Sequence, residues 1–140
     1  MKKKVLKLQD KPEYNFRVIA ISSHDKDYRL SWAINEVLEI DLVKADNLHV
    51  QHKKMDATQQ FSRFSYIAED NYTAFHLISN RSEQGYLFKN MKNIDYLLKI
   101  EGLPGEYKDD VILKIKSLEP VITAFDIDLI NLKEKNKLLF

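Results

Sequence analysis

The 140-residue chain contains no cysteine, and that excludes disulfide frameworks, thiolate metal centres and cysteine nucleophiles at a stroke. It holds only three glycines and three prolines, too few for long linkers or low-complexity segments. The one close glycine pair, in Gly102-Leu103-Pro104-Gly105, lacks the Gly-Lys-Ser/Thr ending of a phosphate-binding loop, and no serine sits in a Gly-x-Ser-x-Gly elbow. No stretch approaches 18 uncharged apolar residues, so no membrane-spanning helix is expected. The start, Met1-Lys2-Lys3-Lys4-Val5-Leu6-Lys7-Leu8, is positive but lacks the apolar run of an export signal, which points to the cytoplasm. Charge of one sign is missing too. The 22 basic and 21 acidic residues nearly cancel, leaving no domain-wide field to hold a polyanion.

What is present is apolar and patterned. With 44% hydrophobic and 11% aromatic residues, a chain of this length can build a core without staples. Lys4 to Leu8 reads as a short strand. Asn15 to Ser22 contains the unbroken run Val18-Ile19-Ala20-Ile21, the signature of a central strand buried on both faces. From Asp25 to Glu39, Leu30, Ala33, Ile34, Val37 and Leu38 recur at helical spacing. Phe61 to Ile67 and Tyr72 to Ser79 flank a Glu69-Asp70-Asn71 turn and suggest a hairpin. Further β-compatible runs cover Tyr86 to Phe88, Ile94 to Ile100 and Val121 to Ile127. A second amphipathic helix, Glu106 to Leu118, carries Val111, Ile112, Ile115 and Leu118 and stops before Pro120. The expectation is a single α+β domain over residues 1–140: a mostly antiparallel sheet with two amphipathic helices packed on one face, and a C-terminal tail from about residue 128.

The segment Phe88-Lys89-Asn90-Met91-Lys92-Asn93-Ile94-Asp95-Tyr96 resembles the signature of the IPExxxVDY family of small Bacteroidota proteins. Ile94-Asp95-Tyr96 stands for Val-Asp-Tyr, whereas Phe88-Lys89-Asn90 replaces Ile-Pro-Glu. Asp27-Tyr28-Arg29-Leu30, Leu77-Ile78-Ser79-Asn80, Val121 to Asp128 and Asn136 to Phe140 extend the resemblance over most of the chain. It implies a cytoplasmic bacterial protein and no particular activity. Any chemistry of the family's glutamate would be missing at Asn90.

Candidate chemistry is sparse. His49 and His52 would converge only on a helix, and neither they nor His24 and His76 stand at a metal-ligand spacing. Asp95, Glu101, Asp126 and Asp128 could serve acid–base chemistry, but nothing in their spacing pairs them. No catalytic residue, metal or cofactor is expected. Two binding surfaces remain. The first is Tyr28 with Trp32, one turn apart and opposite the apolar stripe, together with the tail residues Leu138, Leu139 and Phe140; it would contact a protein partner or a second copy, unless the tail itself covers that helix face. The alternative is an RNA-associated protein that stacks bases on sheet aromatics such as Phe64, with Arg63, Lys53 and Lys54 meeting phosphates. A non-enzymatic interaction module is the leading expectation.

Overall fold

The computed structural model describes residues 16–52, 57–69, 73–102 and 108–140. Among the described residues ten strands and two α-helices follow one another: β1 (Phe16–Ser23), α1 (Asp27–Leu38), β2 (Val43–Lys44), β3 (Leu48–His52), β4 (Ala57–Phe61), β5 (Arg63–Ile67), β6 (Ala74–Ser79), β7 (Arg81–Ser82), β8 (Gly85–Tyr86), β9 (Tyr96–Glu101), α2 (Lys108–Lys116) and β10 (Val121–Asp126). Six of the strands form one sheet in the order β10-β1-β9-β6-β5-β2, antiparallel at every pairing. The fold is therefore α+β with an antiparallel sheet. The strand expected at Lys4–Leu8 lies outside the described residues.

Side chains on a strand alternate between faces, so the register assigns each residue to a layer. Ile19 opposite Leu98 and Ile21 opposite Tyr96 face the helices, while Val18 opposite Lys99 and Ala20 opposite Leu97 face the other way. On the helical side, Leu30 and Ile34 of α1 and Val111 and Ile115 of α2 cover Ile19, Ile21, Phe75, Leu77, Leu98 and Ile100. The reverse face is covered as well. Leu48 and Phe61 of the β3–β4 hairpin, Leu87, Phe88 and Ile94 of the loop before β9, and Leu138 of the tail close over Val18, Ala20, Ile78 and Leu97. Burial on both faces is why the central strands carry unbroken apolar runs instead of the alternation of a half-exposed antiparallel sheet.

The loop that resembles the family signature is built around Asn80, which is wholly buried. Its side-chain amide donates to the carbonyls of Met91 and Ile94, both at 2.9 Å, and its oxygen accepts the Phe88 N–H at 2.8 Å. Phe88 and Ile94 sink into the reverse-face core, while Lys89 and Asn90 stay exposed on a short 3-10 turn. Asp95 then ties three pieces together. One oxygen accepts the Ser23 N–H at 2.8 Å, and the other pairs with Arg81 at 2.8 Å. Tyr96 places its hydroxyl on the Asp25 carbonyl at 2.6 Å, joining β9 to the entry of α1.

Candidate functional site

Helix α1 begins where Arg29 and Leu30 donate back to the Lys26 carbonyl, with the Asp27 carboxylate accepting the Tyr28 N–H at 2.7 Å. An acid in the first turn also complements the positive end of the helix. The Asp27 side chain makes a second hydrogen bond, to the Ser62 hydroxyl, which pins the helix start to the β4–β5 junction. At the other end Glu39 adopts left-handed geometry, φ 58°, and Asn35 clasps Leu42 through both its backbone groups. The helix is fixed at both ends, and its inner face is spent on the core: Leu30 and Ile34 are fully buried, with Ser31 beside them.

Its outer face is different. Trp32, the only tryptophan in the chain, is 66% exposed, and Tyr28 one turn earlier is 55% exposed. The tail does not cover them, because it lies on the opposite side of the sheet. That position corrects one expectation: Leu138 is fully buried in the reverse-face core, so it anchors the tail and offers no surface to a partner. Leu139 is exposed at 57%. Phe140 remains partly accessible, but its ring centre lies 4.0 Å from the Lys99 ammonium, 5.3 Å from the Arg63 guanidinium and 5.2 Å from the centre of the His76 ring, to which it is nearly perpendicular.

The proposed stacking platform is also rearranged. Phe64 is buried on the helical face and so cannot meet a base, while Phe61 and Phe75 are core residues. Arg63, its strand neighbour, points to the reverse face, donates to the Asp46 carbonyl at 3.0 Å and rests on Phe140. Lys53 and Lys54 lie outside the described residues. Alternation explains the outcome, since neighbouring residues of one strand cannot share a face.

A polar cluster that the sequence did not announce lies on the reverse face, where β5, β6 and β9 bring Ser65, His76 and Lys99 into one cross-strand row. The Ser65 hydroxyl and His76 Nδ1 are 2.7 Å apart, and His76 Nε2 is 3.9 Å from Glu101. The first distance is that of a nucleophile and its base, but the second is too long for the hydrogen bond by which an acid orients the imidazole. Lys99 holds the Glu101 carboxylate at 3.0 Å, and the Phe140 ring lies against the imidazole. Burial lowers the His76 pKa, Lys99 and Arg63 push the same way, and Glu101 opposes them only in part. The folded protein therefore resists protonation of a histidine that the unfolded chain protonates in its ordinary range. Stability should be fully present above about pH 6.5 and fall as the pH drops below it, at no more than about 1.4 kcal/mol per pH unit for one proton. Urea denaturation of the wild type and His76→Gln at a series of pH values checks this. The wild type should lose ground relative to the variant on acidification, and parallel curves would refute the assignment.

Two further candidate carboxylates, Asp126 and Asp128, are occupied in structural roles. Asp126 forms a bidentate pair with Arg17, at 2.7 and 2.8 Å from one guanidinium nitrogen, and Asp128 accepts the Ile130 N–H. Among the described residues, no three His, Cys, Asp or Glu side chains converge in a way that could hold a metal ion. No helix among them is long and apolar enough to cross a membrane. A shallow cleft of about 300 Å³ lies beside Arg81, Asp95 and Tyr96. Burial and the nearby Asp27 and Asp95 push the Tyr96 pKa up to about 12, so its hydroxyl stays protonated and serves as a donor to the Asp25 carbonyl. No protein-family model and no curated protein matches the chain.

Proposed function

We propose that the protein is a non-enzymatic interaction module, with Tyr28 and Trp32 as the anchors of its contact with a protein partner. The observation that carries this is the 66% exposure of the lone tryptophan on a helix whose opposite face already supplies the core. Tryptophan and tyrosine bury large areas at small conformational cost, and they dominate the binding energy of many interfaces. A rigid helix fixed at both ends presents them with little further ordering to be done on binding. Membership of the IPExxxVDY family and a place in a bacterial cytoplasm belong to the same proposal. They are supported by the Ile94-Asp95-Tyr96 motif and by the cysteine-free composition.

Trp32→Ala and Tyr28→Ala should each change folding stability by no more than about 0.5 kcal/mol, as expected of exposed side chains. Binding should respond very differently. A partner recovered from bacterial lysate by the wild type should be lost from Trp32→Ala, at a cost of about 2 kcal/mol or more if the residue is a hot spot. The single tryptophan also provides its own probe, because its emission should shift to the blue when that partner is added. Unfolding of Trp32→Ala, or unaltered partner recovery by it, would sink the reading.

A further inference from the structure

The two ends of the main sheet are finished differently. At one end β2 is a two-residue strand, Val43–Lys44, and such a short edge carrying a lysine gives another strand little to pair with. At the other end β10, Val-Ile-Thr-Ala-Phe-Asp, has six residues with no lysine or proline, and it displays Ile122 at 61% and Phe125 at 45% exposure. Within the described residues it ends the sheet.

The hydrogen-bond phase of this edge can be read from its inner side. Ile127 donates to the Val18 carbonyl at 2.9 Å, and Ile19 lies opposite Asp126, Ala20 opposite Phe125 and Ser22 opposite Thr123. Bonded and non-bonded pairs alternate in an antiparallel ladder, so Phe125 and Thr123 turn their backbone groups inward to β1. Ala124 and Asp126 consequently turn their N–H and C=O groups outward. Between Ser22 and Ser23 the register shifts past Ile122, a bulge that limits the regular edge to the stretch from Thr123 onward.

We infer that this edge pairs with the same edge of a second copy, antiparallel about a two-fold axis at Phe125. The occupant must be an extended strand, because the outward groups are main-chain donors and acceptors at strand spacing. A second copy satisfies them with no mismatch: Ala124 lies opposite Asp126 of the other chain and Asp126 opposite its Ala124. Two hydrogen-bonded pairs then flank the axis. Phe125 meets its own counterpart in the non-bonded position between them, where side chains approach most closely. Charge does not oppose the arrangement. Asp126 is the only charged residue of the strand, and Arg17 of its own chain already pairs with it. The result is an isologous dimer with one continuous antiparallel sheet, formed through a surface separate from Tyr28 and Trp32.

The absence of native cysteine makes the register directly testable. In a non-bonded pair the Cα atoms lie about 4.5 Å apart, inside the roughly 4.4–6.8 Å span of a disulfide. Under mild oxidation Phe125→Cys should give a disulfide-linked dimer on the order of tenfold or more faster than Trp32→Cys, whose thiols meet only by collision. By sedimentation, the wild type should dimerise with concentration. Phe125→Lys, which sets two ammonium groups against each other at the axis, should remain monomeric with an unchanged circular dichroism spectrum. A wild type that stays monomeric up to its solubility limit overturns the proposal, and so does cross-linking of Trp32→Cys at a rate equal to that of Phe125→Cys. If Phe125→Lys proves poorly folded, the relative cross-linking rates still decide.

Discussion

Asn80→Ala should be among the most destabilising single changes in the molecule. The substitution removes three side-chain hydrogen bonds and leaves the Met91 and Ile94 carbonyls and the Phe88 N–H without those partners. A stranded buried polar group costs about 1–3 kcal/mol, so a loss on the order of 3–5 kcal/mol is expected, a large share of the roughly 5–15 kcal/mol that holds a domain together. For a chain of this size that corresponds to a fall in Tm of about 10–17 °C. Asn80→Asp separates the contributions. It can still accept from Phe88, but it turns a carboxylate toward two carbonyls, so it should be no better than alanine. Thermal and urea unfolding of both variants would check this, and a loss below about 1 kcal/mol for Asn80→Ala would show that the loop holds itself by other means.

Asn80 also shows what was legible in the sequence. A polar residue after Leu77-Ile78-Ser79 reads as a turn, and a turn is what it makes, with Leu87 donating to its carbonyl at 2.7 Å. Its role as the hub of a buried loop depends on contacts with residues 88 to 94, and no local pattern encodes those. The central strand and both helices were legible because periodicity is local: the expected Asp25–Glu39 and Glu106–Leu118 compare with Asp27–Leu38 and Lys108–Lys116. The aromatic pair of α1 could be placed on the outer face for the same reason. Whether that face was open required knowing where the tail goes. The same non-local fact hid the row of Ser65, His76 and Lys99, which are adjacent only through the pairing of three strands. It also misplaced Leu138, whose burial is set by a sheet face built from residues far from the tail in sequence.

The second large effect follows from Lys99, an ammonium only 2% exposed on the reverse face of the central sheet. Among the described residues it meets Glu101 at 3.0 Å, the Phe140 carbonyl oxygen at 3.4 Å, and the rings of Phe140 and Phe16 at 4.0 and 4.6 Å, with His76 beside it on the next strand. Glu101 is one-third exposed, so the two members of the pair are unequally desolvated. Removing them should therefore have unequal consequences. Glu101→Ala strands a buried charge and should cost about 2–4 kcal/mol. Lys99→Met keeps the volume, leaves behind a carboxylate that water can reach, and forfeits two cation–π contacts worth about 0.5–1 kcal/mol each, offset by the desolvation no longer required. Its stability should lie within about 1 kcal/mol of the wild type. The double variant provides the decisive measurement, because with no lysine to strand, Glu101→Ala should become nearly silent in the Lys99→Met background. A cost for Glu101→Ala that is equal in both backgrounds would mean that the glutamate stabilises the fold through some contact other than this ammonium.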